Sequence, residues 1–135
     1  MLKKQKNDQR LATERDSDYQ VGVFAYTGSG KVVLVTSRKG ESWILPKGNR
    51  AKKRSDRLQA KREAFEEAGI QGSLNCKHYD FNCFEKSKKL RIYTMRVKTI
   101  LNDFPEVRQR KRMVTTFDRA AVSYTHLTLP TICSV

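Results

Sequence analysis

The chain has 135 residues, a length that suits one domain with a real core and is too short for two ordinary domains. Hydrophobic residues make up 38% of it and charged residues 31%, and no apolar run approaches the roughly 20 residues that cross a bilayer. Composition therefore excludes a membrane-spanning protein, and we expect a cytoplasmic one. The net charge of +14 favours anionic partners such as polyphosphates or nucleic acid, although a basic solubility surface would give the same value.

Residues 1–18 are polar and basic without an apolar stretch, which predicts a disordered leader rather than a secretion signal. Two runs of β-branched and aromatic residues follow, at 20–26 and 31–38. The stretch Thr27-Gly28-Ser29-Gly30 between them suits a tight turn, so the pattern predicts a β-hairpin.

A short strand is predicted at 42–45, where Pro46 ends it because proline cannot donate to a strand ladder. Gly48 permits a bend, and we expect a loop just before the next helix. Ser55 is a good N-cap and Gly69 a typical residue after a helix C-terminus. Helix-favouring residues between them predict a helix at 56–68.

Aromatic and β-branched residues return at 72–84 and 89–99 and predict two more strands. Residues 112–116 predict a last short strand, and 117–121 the opening turn of a helix. From residue 122 to 135 the sequence has no Lys, Arg, Asp or Glu, and it can be encoded by a sequencing adapter followed by a stop codon. We therefore expect one domain over 19–121, a non-native tail over 122–135 and a truncated C-terminal helix.

The predicted helix carries Glu63, Glu66 and Glu67 at i, i+3 and i+4, a spacing that gathers three carboxylates on one face. Leu58 and Phe65 fall on roughly the opposite face, which we expect to enter the core. Clustered carboxylates repel one another, and hard cations such as Mg²⁺ or Mn²⁺ relieve that repulsion. The alternative is a solvated acidic face, because such triplets are common.

The spacing around this face resembles the box of the Nudix (MutT-like) family. The matching positions are Gly48, Arg62-Glu63, Glu66-Glu67 and Gly69-Ile70, with Ala64 as the apolar residue between them. The lead-in Trp43-Ile44-Leu45-Pro46-Lys47-Gly48 is similar to one found in family members that act on diphosphoinositol or dinucleoside polyphosphates. The resemblance covers roughly 20–121 and implies an α/β (α+β) fold, a mixed β-sheet packed against helices as an α/β/α sandwich.

One box position departs from the family pattern, because Arg54 stands where the first glutamate is expected. In one interpretation, Arg54 replaces a carboxylate that supports the metal, which would leave a weak enzyme or a binding module. In the other, Arg54 belongs to a basic loop that binds phosphate. We favour the second interpretation because the later glutamates of the box are all present.

The resemblance implies hydrolysis of a phosphoanhydride bond in a nucleoside diphosphate-linked or other organic polyphosphate. It implies Mg²⁺ or Mn²⁺ bound by Glu66, Glu67 and the main-chain carbonyl of Gly48. Glu63 is a third ligand or the general base, and Arg62 has a structural role among these catalytic residues.

The partner that we expect is a small anionic polyphosphate, with nucleic acid as the second candidate. The basic residues that could bind its phosphates are Arg38, Lys47, Lys52, Lys53 and Arg54. Glu106 is a late carboxylate of the site or a surface loop residue. A catalytically impaired module that binds nucleotide or RNA is the alternative function, and it would need exposed stacking platforms. The aromatic candidates for these platforms are Tyr79, Phe81, Phe84 and Tyr93.

Overall fold

The structure is a computed structural model in which residues 19–83 and 88–123 are described. The predictions of a disordered leader over 1–18 and of an adapter-encoded tail beyond 123 lie outside these residues. In the described ranges we number seven strands and two helices. They are β1 (Gln20–Tyr26), β2 (Lys31–Thr36), β3 (Trp43–Ile44), β4 (Lys47–Asn49), α1 (Asp56–Ala68), β5 (Ile70–Cys83), β6 (Lys88–Ile100), β7 (Arg112–Thr116) and α2 (Phe117–Ser123).

The strands form one mixed sheet in the order β3-β2-β1-β6-β5, with β4 paired to β1 and β7 paired to β2. The pairing of β1 with β6 is parallel, from Gln20 opposite Leu90 to Tyr26 opposite Arg96. The other strand pairs are antiparallel. Helix α1 packs along β1, β4 and β5, and α2 packs against β2 and β7. The predicted mixed α+β fold is confirmed.

The predicted hairpin forms its turn, where the Thr27 amide donates to the Lys31 carbonyl at 2.8 Å. Beyond the turn the two strands share only the pairing of Tyr26 with Val32. They separate because each strand pairs with others. Strand β1 pairs with β4 and β6, and β2 pairs with β7. The turn is local in sequence, whereas these partners come from distant segments.

The loop predicted just before the helix covers residues 50–55, but the short strand β4 at Lys47–Asn49, paired with β1, was not predicted. Pro46 cannot donate, but its carbonyl accepts from the Val23 amide at 3.1 Å. Gly22 permits this approach, since a Cβ atom there would overlap the Pro46 carbonyl. The strand holds Gly48 opposite Val21 and thereby beside helix α1.

Helix α1 begins and ends as predicted. The Ser55 side chain accepts from the Leu58 amide at 3.2 Å, and Gly69 closes the helix with a φ of 65°. The predicted core face is wrong, because Leu58 is 57% exposed and Phe65 is only half-buried. The residues that pack on the sheet are three fully buried alanines one turn apart, Ala60, Ala64 and Ala68. Their small side chains let the helix lie close to the sheet.

Strands β5 and β6 form a long antiparallel pair whose register shifts between Gln71 and Gly72 and between Leu74 and His78. After β7, helix α2 extends two residues into the segment that we predicted to be non-native. Its Phe117 ring contacts Phe24 at 6.2 Å between centroids, although half of Phe117 remains exposed. None of the helices in the described ranges is long and apolar enough to cross a membrane.

Candidate active site

Helix α1 directs the side chains of Glu63 and Glu67 toward β4, the strand that precedes it in the chain. Glu67 lies against the sheet and is 4% exposed, and Glu63, one turn earlier, is half-buried. Glu66 lies at the edge of this face, where its carboxylate accepts from Arg62 Nε at 3.2 Å. The three carboxylates therefore stand in different environments, from the interior to the solvent.

Glu67 is a buried carboxyl with two opposing influences on its charge. Burial raises the pKa of Glu67 to about 8, because the charged form loses its hydration. The Arg110 guanidinium at 3.4 Å and the Lys47 amide at 3.1 Å favour the charged form. Burial also raises the pKa of Glu63, whose side chain hydrogen-bonds to that of Glu67. These two carboxyl groups hold a proton between them more readily than free glutamates would.

Glu63 lies directly against Gly48 of β4. A Cβ atom at position 48 would overlap the Glu63 carboxyl group, so only glycine leaves room for the side chain in this position. Glu63 also contacts Gln59, whose Nε2 donates to Glu63 Oε1 at 3.0 Å. The spacing between Gly48 and Glu63 in the sequence thus corresponds to a direct contact in space.

A fourth carboxylate reaches this region from the loop between β6 and β7. The Glu106 amide donates to the Glu66 carbonyl at 3.0 Å, which docks the loop on the end of α1. The Glu106 side chain accepts from Arg110 Nε at 2.7 Å. Arg110 also donates to the Thr36 carbonyl at 2.9 Å, so its guanidinium joins the loop, the helix and β2. Of the two interpretations of Glu106, the structure favours a place in the site.

These residues line a cleft of about 930 Å³. Among the described residues, six cationic and five acidic side chains border it. The cations are Arg38, Lys39, Lys47, Arg50, Arg54 and Arg110, and the acids are Glu41, Glu63, Glu66, Glu67 and Glu106. The cleft thus combines carboxylates that suit a hard metal ion with cations that suit phosphate oxygens.

The structure brings most of the predicted site residues together, but not all of them. Arg38, Lys47 and Arg54 border the cleft, whereas Lys52 and Lys53 are exposed and lie outside its lining. Arg62 also lies outside the lining, on the far side of the helix. It holds Glu66 through one hydrogen bond, from Arg62 Nε at 3.2 Å.

Among the cleft residues that sequence reasoning missed are Arg50, Gln59 and Arg110. The Arg50 guanidinium lies 5.3 Å from the Tyr19 ring centroid, and its buried Nε has no hydrogen-bond acceptor in the described part of the chain. No local pattern points to Arg50 or Gln59. The i, i+4 spacing of Glu106 and Arg110 was a signal for an ion pair, although it does not reveal that Arg110 also contacts Glu67.

The chemistry of the site fits a divalent cation. Burial raises the pKa of both Glu63 and Glu67, and the charge of Glu63 raises that of Glu67 further. The missing side chain of Gly48 leaves its backbone open to the Glu63 carboxyl group. Within residues 19–83 and 88–123, no three acidic, histidine or cysteine side chains already converge as a ligand set. Glu66 would have to turn from Arg62 to join Glu63 and Glu67.

Comparison with known proteins shows a sequence relative and several structures that share the fold. The chain is 32% identical to Nudix hydrolase 16, mitochondrial, of Arabidopsis thaliana, in a match over 73% of this chain and 62% of that protein. It therefore spans less than two thirds of the relative's length. A Nudix hydrolase from Nitrosomonas europaea has the same fold, with a TM-score of 0.64 at 18% identity over 86% of this chain and 84% of the other.

An Ap4A hydrolase from C. elegans also shares the fold, with a TM-score of 0.60 at 17% identity over 77% of this chain and 84% of the other. No protein-family model matches the chain. The sheet and its helices give the chain the Nudix fold. In sequence the chain is similar, over 73% of its length, to a protein named as a Nudix hydrolase.

Proposed function

We propose that the chain is a metal-dependent hydrolase that cleaves a phosphoanhydride bond in an organic polyphosphate. One observation carries the proposal: four carboxylates, Glu63, Glu66, Glu67 and Glu106, border the same cleft as six cations. Carboxylates alone would repel a polyphosphate, and cations alone would bind it without activating water. Their combination supports both requirements of the reaction.

Glu63, Glu66 and Glu67 would hold Mg²⁺ or Mn²⁺, with the Gly48 carbonyl as a further ligand. When bound, the metal would neutralise phosphate oxygens and make the attacking water more acidic. The protein's own groups would hold the acids in place and supply the general base. Arg110 keeps Glu67 and Glu106 in place through ion pairs, and the Lys47 amide fixes the other oxygen of Glu67. Glu63 and Glu106 are the two candidates for the general base, because both border the cleft.

The cations of the cleft support a substrate with several phosphates, linked to a nucleoside or to another organic group. Arg38 lies in the turn after β2 and Arg50 lies between β4 and α1, so phosphates at either segment of the cleft would meet positive charge. Among structural neighbours, one is named for hydrolysis of Ap4A. The proposed compartment is the cytoplasm, although the plant relative is named as mitochondrial.

The test is an assay of the chain with Mg²⁺ and a panel of dinucleoside polyphosphates, nucleoside diphosphate sugars, nucleoside triphosphates and diphosphoinositol phosphates. Glu67→Gln and Glu66→Gln should abolish turnover, while Asp103→Asn, an exposed acid on the loop that carries Glu106, should keep it. Comparison of Glu63→Gln with Glu106→Gln across pH identifies the general base. Binding without turnover, unchanged in Glu67→Gln, would overturn the proposal.

Such an outcome would favour the alternative, a module that binds nucleotide or RNA without chemistry. Its stacking platforms have limited support. Tyr93 is buried and Phe81 is half-buried, so only Tyr79 among the described candidates is well exposed. Phe84 lies outside the described residues. The substrate panel should therefore include a short single-stranded RNA, for which we expect weak binding.

A further inference from the structure

The residue that departs from the Nudix pattern, Arg54, is connected to the carboxylate site. Its Nη1 donates to Gln59 Oε1 at 2.6 Å. Gln59 lies in the first turns of α1, is 7% exposed, and donates from Nε2 to Glu63 Oε1 at 3.0 Å. The same nitrogen donates to the Asn49 carbonyl at 3.2 Å. A continuous chain of hydrogen bonds therefore runs from the basic loop through the helix to Glu63.

The direction of this chain depends on the charge at position 54. A glutamine amide has one accepting end and one donating end, and its orientation follows from its partners. Arg54 can only donate, so it holds the oxygen of Gln59. The Gln59 amide nitrogen is then turned toward Glu63, and its two hydrogens are donated to Glu63 and to the Asn49 carbonyl.

A glutamate at position 54, as in the family pattern, would have the opposite effect. It would accept from the Gln59 nitrogen and turn the Gln59 oxygen toward Glu63. Two accepting groups would then face each other in a nearly buried place, which is unfavourable. Arg54 and Gln59 are therefore a matched pair in this chain, because Arg54 donates to the end of Gln59 that accepts.

We propose that Arg54 is a positioning residue that acts through Gln59 to hold the Glu63 carboxylate beside Gly48. The inference rests on the proposed function, and it replaces the interpretation of Arg54 as a lost carboxylate. Outer partners that orient metal-binding side chains commonly change metal affinity or activity by about 10- to 100-fold when removed. The contact with Arg54 gives Gln59 the orientation that such a role requires.

The test is a double-mutant cycle with Arg54→Met, Gln59→Met and the double variant. Lys61→Met, which removes an exposed cation from the same helix, is the control for net charge. Two quantities are measured: binding of Mn²⁺ by electron paramagnetic resonance, and kcat and KM on the best substrate. Thermal melts establish that each variant is folded.

We expect each single variant to weaken Mn²⁺ binding and to lower kcat by about tenfold, with KM little changed. The double variant should be no worse than either single variant, because both remove the same chain of contacts. Arg54→Lys should restore part of the loss, since lysine also donates. Lys61→Met should match the unmodified protein within about twofold.

Two results would overturn the inference. If Arg54→Met raises KM and leaves kcat and Mn²⁺ binding intact, Arg54 contacts substrate rather than positioning Glu63. If the losses in the two single variants simply add, the residues act independently. Failure of the proposed function looks different, because a chain without turnover could still show the coupled loss of Mn²⁺ binding.

Discussion

The Arg110 guanidinium lies 3.4 Å from the Glu67 carboxylate, and these side chains are only 5% and 6% exposed. Arg110 also pairs with Glu106 and so compensates two acids in the interior of the cleft. Breaking a buried pair by removal of one partner leaves an uncompensated charge, which is more costly than the pair itself is stabilising. Arg110 therefore stabilises the arrangement of acids on which the proposed chemistry depends.

We predict that Arg110→Met lowers the free energy of unfolding by about 3 kcal/mol in the absence of metal at pH 9, where the Glu67 carboxylate is ionised. Urea denaturation of the metal-free protein measures this change. Arg62→Met is the matched control, because Arg62 also forms an i, i+4 pair, with Glu66, but is half exposed. It should cost less than about 0.5 kcal/mol. Equal losses in the two variants would contradict a special role for the buried pair.

The raised pKa of Glu67 predicts an unusual dependence of stability on pH. In the unfolded chain this group releases its proton near 4.5, whereas in the folded protein it retains the proton to about pH 8. The folded state binds more protons in this window, so stability falls as pH rises from about 4.5 to about 8. We expect the Tm of the metal-free protein to drop by on the order of 5 °C between pH 5.5 and pH 8.

Calorimetry across this range measures the effect, with Glu67→Gln as the comparison. The glutamine cannot ionise, so its Tm should change less with pH. Added Mg²⁺ should raise the Tm of the unmodified protein more at pH 8 than at pH 5.5, because binding favours the ionised carboxylates. A Tm that rises with pH in the unmodified protein would show that burial does not govern this group.

The parts of the fold that the sequence predicted correctly are local in sequence. Ser55 and Gly69 mark the ends of α1 because a cap needs only its own helix turn. The Arg110 contact with Glu67 joins residues 43 positions apart, and no local pattern contains it. Strand β4 was missed for the same reason, since it depends on the close approach of Pro46 to Gly22. The core face of α1 was misjudged because burial of three alanines, rather than Leu58, lets the helix lie closer to the sheet.

We predict that Arg50 contributes to substrate affinity, a role that the sequence did not reveal. Its guanidinium is stacked on Tyr19, it borders the cleft, and its buried Nε lacks an acceptor among the described residues. A substrate phosphate would supply that acceptor. Arg50→Met should raise KM by about tenfold with little change in kcat, because one charged hydrogen bond is lost in both the bound and transition states. Steady-state kinetics on the best substrate measure it.

Arg57→Met is the matched control for this variant, since Arg57 also lies over an aromatic ring, that of Tyr93, but does not border the cleft. Its KM should remain within about twofold of the unmodified value. An equal rise of KM in the two variants would mean that the loss of positive charge, rather than the position of Arg50, determines affinity.

We predict that the variant Gly48→Ala keeps the fold and loses activity. A Cβ atom there would overlap the end of the Glu63 side chain, which can rotate away, so we expect Gly48→Ala to melt within a few degrees of the unmodified protein. The displaced carboxylate should lower kcat on the order of 100-fold, as small misplacements of catalytic groups do. Gly28→Ala is the control, because its Cβ would meet open space. Full activity in Gly48→Ala would show that the contact between Gly48 and Glu63 is not needed for catalysis.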